Sequence, residues 1–134
     1  MRALIVEDNF TNRKILNRFV EEYFEVDIAA NGNEACEAFY QAHQEGQPYS
    51  VIFLDVMMPE KDGLTVVEEI RAFEAQQGIR GLDGVKIIIT SALEGSKDIL
   101  NAFKAGCEAY IVKPFSRSEI NARLEELGIV FQRK

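Results

Sequence analysis

Several side chains capable of chemistry lie directly after short apolar segments of the chain. They are Glu7 and Asp8, then Asp55, then Thr90, and finally Lys113. Three carboxylates gathered at one place repel one another and need a cation to remain ionised together. Oxygen ligands of this kind, with room left for water, suit Mg²⁺, which also bridges to phosphate groups. The residue types therefore indicate a magnesium-dependent phosphoryl site.

Asp55 is the candidate nucleophile of this site. A cation beside it would let the carboxylate approach a phosphoryl group, because the metal neutralises charge on the transferring oxygens. Lys113 would give those oxygens a second, movable positive charge, and the Thr90 hydroxyl would give a neutral donor. Each residue alone has an ordinary structural explanation, since acids cap helices and lysines are commonly solvated. Their common placement after apolar segments favours a phosphoryl-accepting aspartate.

The segment around Asp55 must be a strand for this placement to hold. Apolar residues at 51–54 run directly into Asp55, and the turn-forming Pro59 and Gly63 follow. An apolar run bounded by turn residues is typical of a strand covered on both faces, as in a parallel sheet. Asp55 would then lie at the carboxyl end of the strand, where ligands bind in open α/β sheets.

The chain as a whole is predicted to form five repeats of a strand and a helix. Strands are predicted at 3–6, 25–30, 51–55, 85–90 and 108–112. Helices are predicted at 12–23, from an N-cap at Asn33 to 44, after Gly63, at 96–105, and at 116–127 behind a capping box. This alternation implies an α/β fold, a five-stranded parallel sheet with helices on both faces. The flavodoxin-like order 2-1-3-4-5 satisfies it, and its switch point lies between the first and third strands, which carry the acids.

Apolar spacing predicts which side of each helix faces the sheet. In the first helix the inner positions are Ile15, Leu16, Phe19 and Val20. The fourth helix has a thinner stripe, made of Ile99, Leu100 and Phe103. It is therefore expected to be the least firmly docked of the five helices.

Length and composition limit the classes of protein. The chain has 134 residues, 47% of them hydrophobic, which fits one domain, predicted at 1–128 with a short tail at 129–134. The formal net charge of −7 argues against direct nucleic-acid binding. No apolar run approaches the ~20 residues of a membrane span, so no membrane is expected and a cytoplasmic location is predicted. Cys36 and Cys107 are predicted to be buried and unpaired.

Further short motifs accompany these residues, namely Met58-Pro59 with Asp62-Gly63, Thr90-Ser91-Ala92, Tyr110 and Lys113-Pro114-Phe115. In order and separation the whole set closely resembles the response-regulator receiver domain of two-component signalling, over residues 2–127. The resemblance implies that Asp55 accepts a phosphoryl group from a histidine kinase, a histidine phosphotransferase or a small phosphodonor. It also implies Mg²⁺ held by Asp8, Asp55 and the Met57 backbone carbonyl, with Glu7 acting through water. Glutamate rather than aspartate at position 7 is a mild departure that leaves this site intact.

The same resemblance assigns a conformational switch to Thr90 and Tyr110. On phosphorylation the Thr90 hydroxyl would turn towards the phosphoryl group, and Tyr110 would move inward into the space that it leaves. The resemblance also implies a cis peptide between Lys113 and Pro114. The surface of the fourth helix, fifth strand and fifth helix would then bind a downstream protein.

Met57 and Ala92 lie two residues after Asp55 and Thr90, beside the expected approach of water. Neither side chain can orient a water molecule. The sequence therefore predicts self-dephosphorylation on the order of tenfold slower than with polar side chains there.

Two other classes of function fit part of the pattern. A magnesium-dependent phosphatase of the haloacid-dehalogenase type also uses an aspartyl nucleophile, but it needs an acid where this chain has Met57. A phosphorylation-independent interaction module would keep the fold and lose the chemistry. Within the receiver interpretation, the chain is expected to act through protein contacts, either as a stand-alone regulator or as a receiver cut from a hybrid kinase or larger regulator.

Overall fold

A computed structural model describes residues 1–58 and 61–129. Its five strands form one parallel sheet in the order β2-β1-β3-β4-β5, which confirms the flavodoxin-like prediction. The strands are β1 (Arg2–Val6), β2 (Glu25–Ala29), β3 (Val51–Asp55), β4 (Lys86–Ser91) and β5 (Ala109–Val112). Pro59 of the predicted motif and residues 130–134 of the predicted tail lie outside the described residues.

Five helices alternate with the strands. They are α1 (Phe10–Val20), α2 (Gly32–Gln44), α3 (Gly63–Gln76), α4 (Ser96–Ala105) and α5 (Arg117–Glu126), with a short 3₁₀ helix at Gly81–Asp83 before β4. Across residues 1–58 and 61–129, no helix combines the length and the apolar character needed to cross a bilayer.

The sheet carries an apolar layer on each face, because successive side chains of a strand point in opposite directions. One layer packs against α2 and α3 and includes Leu4, Leu54, Ile89, Phe39 and Ile70. The other packs against α1 and α5 and includes Ile5, Phe53, Ile88, Leu16 and Leu124. Coverage on both faces explains why the inner strands β1, β3 and β4 are nearly continuous apolar runs, whereas the edge strand β2 is mostly exposed and carries Glu25 and Asp27.

Two helices begin earlier than the sequence pattern predicted. The N-cap of α2 is Asn31, not Asn33, and its side chain accepts a hydrogen bond of 2.9 Å from the Glu34 amide. Likewise α1 begins at Phe10 rather than at position 12, capped by the Asn9 side chain. In both cases the asparagine closer to the preceding strand satisfies a backbone N–H that would otherwise be left free at the helix start.

The predicted inner faces of two helices are partly wrong. Leu100 and Phe103 of α4 are 53% and 44% exposed, and Ile15 of α1 is 42% exposed. Ala102 is the only buried residue of α4. The helix therefore packs through a small side chain near the edge of the sheet, which turns its large apolar side chains towards solvent.

Candidate functional site

The carboxyl ends of β1 and β3 bring three carboxylates together. Val6 pairs with Leu54 across these strands, so the residues that follow, Glu7 and Asp55, lie at the same level of the sheet edge. Glu7 and Asp55 are buried and Asp8 is exposed. One carboxylate oxygen from each of the three lies within 4.8 Å of the other two. The acidic cluster expected from the strand ends is thus present.

Lys113 reaches the cluster from the segment after β5. Its Nζ lies 2.6 Å from Glu7 Oε1 and 3.2 Å from Asp55 Oδ2. Burial by itself lowers the pKa of Lys113, but the bond to Glu7 and the charge of Asp55 outweigh it and raise this pKa overall. Burial also raises the pKa of Glu7, with Lys113 opposing that shift and Asp55 reinforcing it. The charged ammonium therefore holds two buried acids together, and the Lys113-Pro114 peptide is cis, as expected.

The loop after β3 orients the Asp55 side chain. The Met57 amide donates a hydrogen bond of 3.1 Å to Asp55 Oδ1. The Met57 side chain is 60% exposed. An open groove of about 480 Å³ runs beside the carboxylates, and its lining includes Asp8, Met57 and Leu64. The cluster is therefore accessible from this side.

Gly63 lets α3 begin directly against the end of β3. Its amide donates a hydrogen bond of 2.9 Å to the Val56 carbonyl oxygen. An added Cβ would lie 2.6 Å from the Asp55 carbonyl oxygen, closer than van der Waals contact allows. Asp62 caps the same helix by accepting a hydrogen bond of 3.0 Å from the Thr65 amide. The predicted Asp62-Gly63 pair thus fixes the backbone around Asp55.

Thr90 and Tyr110 lie one and two strands away from Asp55. Thr90 pairs with Asp55 in the register of β3 and β4 and is buried. The Tyr110 hydroxyl on β5 donates a hydrogen bond of 2.7 Å to the Leu93 carbonyl oxygen, while Ser91 Oγ accepts one of 3.0 Å from the Leu93 amide. Tyr110 and Ser91 thus hold the loop between β4 and α4. Sequence reasoning missed Leu93, because it contributes only its backbone and leaves no residue-type signal.

The arrangement of these strand ends agrees with a family comparison. Residues 3–125 match the family model of the response regulator receiver domain. The chain belongs to this family. The match confirms the resemblance drawn from the motifs and identifies the protein as a receiver domain of two-component signalling.

Curated relatives of this receiver domain differ greatly in length. It is 35% identical over 128 residues to hybrid signal transduction histidine kinase L of Dictyostelium discoideum, covering 95% of this chain and 7% of the kinase. It is 32% identical over 120 residues to the chemotaxis protein CheY of Halobacterium salinarum, covering 89% of each. The chain thus spans a small part of one relative and most of the other.

Solved receiver domains share the fold. One similar structure is the co-crystal of a Saccharomyces cerevisiae histidine phosphotransfer protein with the receiver domain of its downstream response regulator. It has 30% identity and a TM-score of 0.82, covering 96% of this chain and 88% of that one. Another is the receiver domain of an Arabidopsis thaliana histidine kinase complexed with Mg²⁺ and BeF₃⁻, at 28% identity and a TM-score of 0.79, covering 95% and 89%.

Proposed function

We propose that this receiver domain accepts a phosphoryl group on Asp55 and converts the modification into a change at a protein-binding surface. The observation that carries the proposal is the meeting of three carboxylates and one ammonium at a single edge of the sheet. The carboxylate oxygens lie within 4.8 Å of one another, and Lys113 Nζ lies 3.2 Å from Asp55. The three carboxylates outweigh the single ammonium in charge, so the cluster would hold a cation, and the cation together with Lys113 would offset the charge of a phosphoryl group on Asp55.

The residues of the cluster fit Mg²⁺. The donors are all oxygens, and Asp8 is exposed beside its two buried partners, which leaves space for the waters that this ion retains. We assign the ion to Asp8, Asp55 and the Met57 backbone carbonyl, with Glu7 acting through water. When bound, Mg²⁺ neutralises charge on the phosphoryl oxygens. The similar Arabidopsis receiver domain in complex with Mg²⁺ and BeF₃⁻ supports the assignment.

Asp55 is the proposed nucleophile. One carboxylate oxygen forms the new O–P bond while the P–N bond of a phosphohistidine, or the P–O bond of an acyl phosphate, breaks and its electron pair leaves with the donor. The Met57 amide binds Asp55 Oδ1, and Lys113 binds Oδ2. Lys113 then follows the charge from the carboxylate to the phosphoryl oxygens. Dephosphorylation is the attack of water on the same phosphorus, which restores the carboxylate and releases phosphate.

Thr90 and Tyr110 are the proposed switch. Thr90 is the neighbour of Asp55 on β4, so its hydroxyl can donate to a phosphoryl oxygen on Asp55. Tyr110 binds the Leu93 carbonyl, so an inward movement of its ring would alter the loop that leads into α4. Phosphorylation would then shift the population between two arrangements of this loop.

A histidine kinase or histidine phosphotransferase is the proposed phosphoryl donor. The similar yeast receiver domain was crystallised with a histidine phosphotransfer protein. Met57, on the rim of the groove beside the carboxylates, is 60% exposed, and Phe10, two residues after Asp8 at the start of α1, is 67% exposed. Exposed aromatic and methionine side chains are enriched at protein interfaces. This rim would seat the donor protein around its phosphohistidine.

The surface formed by α4, β5 and α5 is the proposed binding site for a downstream protein. Leu100 and Phe103 expose about half of their surface there, at 53% and 44%. Adjacent exposed apolar side chains favour a protein partner. The formal net charge of −7 disfavours a nucleic acid in the same role.

Intact mass measurement tests the proposed chemistry. The protein incubated with Mg²⁺ and acetyl phosphate or phosphoramidate should gain one phosphoryl group. The Asp55→Asn variant and a chelator-treated sample should gain none. A parallel titration with BeF₃⁻ should give a Mg²⁺-dependent change in tyrosine fluorescence. This experiment does not depend on phosphoryl transfer from the small-molecule donor. If the wild type shows neither a mass increase nor a change in tyrosine fluorescence, the proposal is contradicted and the phosphorylation-independent module is favoured.

The phosphorylated form should be long-lived. Met57 and Ala92 are both exposed and offer no polar group to an approaching water. Substituting Met57→Asn together with Ala92→Glu should therefore speed dephosphorylation about tenfold, because positioned polar groups give factors of that size or more. The decay of the phosphorylated mass after donor removal measures it, with Met58→Leu as the matched apolar control. An unchanged decay rate would show that these positions do not control hydrolysis.

A further inference from the structure

Arg71 of α3 is the centre of a polar network at the sheet edge opposite Asp55. Its Nε donates to the Gly106 carbonyl at 3.0 Å, and its Nη1 donates to Glu74 at 2.7 Å. Its Nη2 donates to both carboxylate oxygens of Glu108, at 2.7 and 2.8 Å. One guanidinium thus joins α3 to the segment between α4 and β5. None of these residues takes part in the proposed phosphoryl chemistry.

The two carboxylates extend the network to the beginning of β4. Glu74 accepts a hydrogen bond of 2.8 Å from the Val85 amide, and Glu108 accepts one of 2.7 Å from the Ile87 amide. Glu74 is only 4% exposed. Charge-assisted bonds in a fork geometry are stronger and more specific than neutral ones, and partial burial strengthens them further. The network therefore forms a rigid point beneath the C-terminal end of α4.

The C-terminal end of α4 is held directly by Arg71. Gly106 follows the helix with a φ of 121°, a conformation that favours glycine. An added Cβ at Gly106 would lie 3.0 Å from Arg71 Cγ, so the arginine packs against the backbone there. This end of the helix is thus fixed by both packing and charge.

The N-terminal end of α4 has weaker attachments. Gly95 caps it without a side-chain hydrogen bond, and Ala102 is the only buried residue of the helix. The loop before it is held by the neutral bond from Tyr110 to the Leu93 carbonyl. This end also lies on the side of the sheet that carries Asp55 and Thr90.

We propose that Arg71 is a positioning residue of the switch, fixing the C-terminal end of α4 so that phosphorylation displaces its N-terminal end about a pivot at Gly106. The inference rests on the proposed function, since it specifies how the switch reaches the binding surface. Leu100 then moves with the free end, whereas Phe103, one turn from the pivot, moves less. A downstream protein would sense the changed position of Leu100 relative to β5 and α5, which do not move with α4.

Hydrogen exchange of α4 amides tests the fixed end without any ligand. In the wild type the Gly106 and Cys107 amides, which bond to carbonyls of α4, should exchange more slowly than those of Leu100 and Asn101. The Arg71→Lys variant keeps the charge, but one ammonium cannot reach all three acceptors in fork geometry. In this variant the difference in exchange rate between the two pairs of amides should therefore be lost. Retention of the difference in Arg71→Lys would overturn the proposal.

Exchange with Mg²⁺ and BeF₃⁻ tests the pivot. In the wild type the ligand-induced change in hydrogen-exchange rate should be confined to residues 93–101. In Arg71→Lys the same change should extend through residues 106–108. Arg123→Lys, which alters the exposed Arg123–Glu126 pair, is the matched control and should behave as the wild type. A wild-type change spread evenly along α4, or an identical pattern in Arg71→Lys, would overturn the pivot. A wild type that binds no BeF₃⁻ would instead contradict the proposed function, while the ligand-free comparison would still decide the role of Arg71.

Discussion

The Lys113→Gln variant should be phosphorylated by acetyl phosphate about 100-fold more slowly than the wild type, the usual loss when one preorganised electrostatic contact to a transition state is removed. Lys113 Nζ lies 3.2 Å from Asp55 Oδ2 and is held there by Glu7 at 2.6 Å. Glutamine keeps a hydrogen-bond donor, one bond shorter than lysine, but carries no charge. The initial rate, read by intact mass at fixed Mg²⁺ and donor concentrations, measures the effect.

Measuring the Mg²⁺ affinity of Lys113→Gln distinguishes the loss of the lysine charge from a disruption of the whole site. Lys113 and a bound cation compete for the charge of Glu7 and Asp55, so Mg²⁺ should bind Lys113→Gln at least as tightly as the wild type, by calorimetry. Circular dichroism checks the fold, and Lys104→Gln, at an exposed lysine of α4, should keep the wild-type rate. A wild-type rate in Lys113→Gln, or a slow rate caused only by lost Mg²⁺ binding, would refute the assigned role.

Replacing Arg71 with methionine should lower the free energy of unfolding by about 3 kcal/mol, because removal of one partner leaves buried charges uncompensated. The side chains of Glu74 and Glu108 are 5% and 25% exposed, so water cannot replace the guanidinium fully. Gly106 would also lose its hydrogen bond from Arg71 Nε. Urea denaturation of the wild type and the variant measures the difference.

Two controls define the cause of that loss. Arg123→Met breaks a pair whose side chains are 36% and 63% exposed and should cost no more than about 0.5 kcal/mol. Adding Glu74→Gln and Glu108→Gln to Arg71→Met should restore part of the stability, since it removes the uncompensated charges. Equal stabilities of Arg71→Met and Arg123→Met would show that the network is not a stabilising element.

Local signals in the sequence were sufficient to predict the sheet and the acidic residues that meet at its edge. The apolar run into Asp55 predicted a covered strand, and Asp55 is the last residue of β3. The Ser116 to Glu119 capping box forms with both of its hydrogen bonds. These features depend on neighbouring residues, so they are visible in the chain before it folds.

The buried face and the first residue of a helix were predicted less well where the sequence offers two acceptable alternatives. Asn31 and Asn33 are both acceptable caps, and the connection to β2 selects the first. Leu100 and Phe103 have helical spacing, yet α4 packs through Ala102. The choice depends on how closely α4 approaches the sheet, which periodicity does not reveal.

By itself, the sequence was enough to predict the strand order, which the structure confirms, and the polar residues after four of the five strands, from which the proposed phosphoryl chemistry follows. Only the tertiary structure decided the contacts that surround the site and the proposed switch. They include the 3.2 Å approach of Lys113 to Asp55, the bond from Tyr110 to the Leu93 carbonyl, and the bonds of Arg71 to Gly106 and Glu108. Each joins residues far apart in the chain, and several use backbone atoms that every residue type shares. Such contacts follow from the packed geometry of strands and helices, so no local pattern of residue types encodes them.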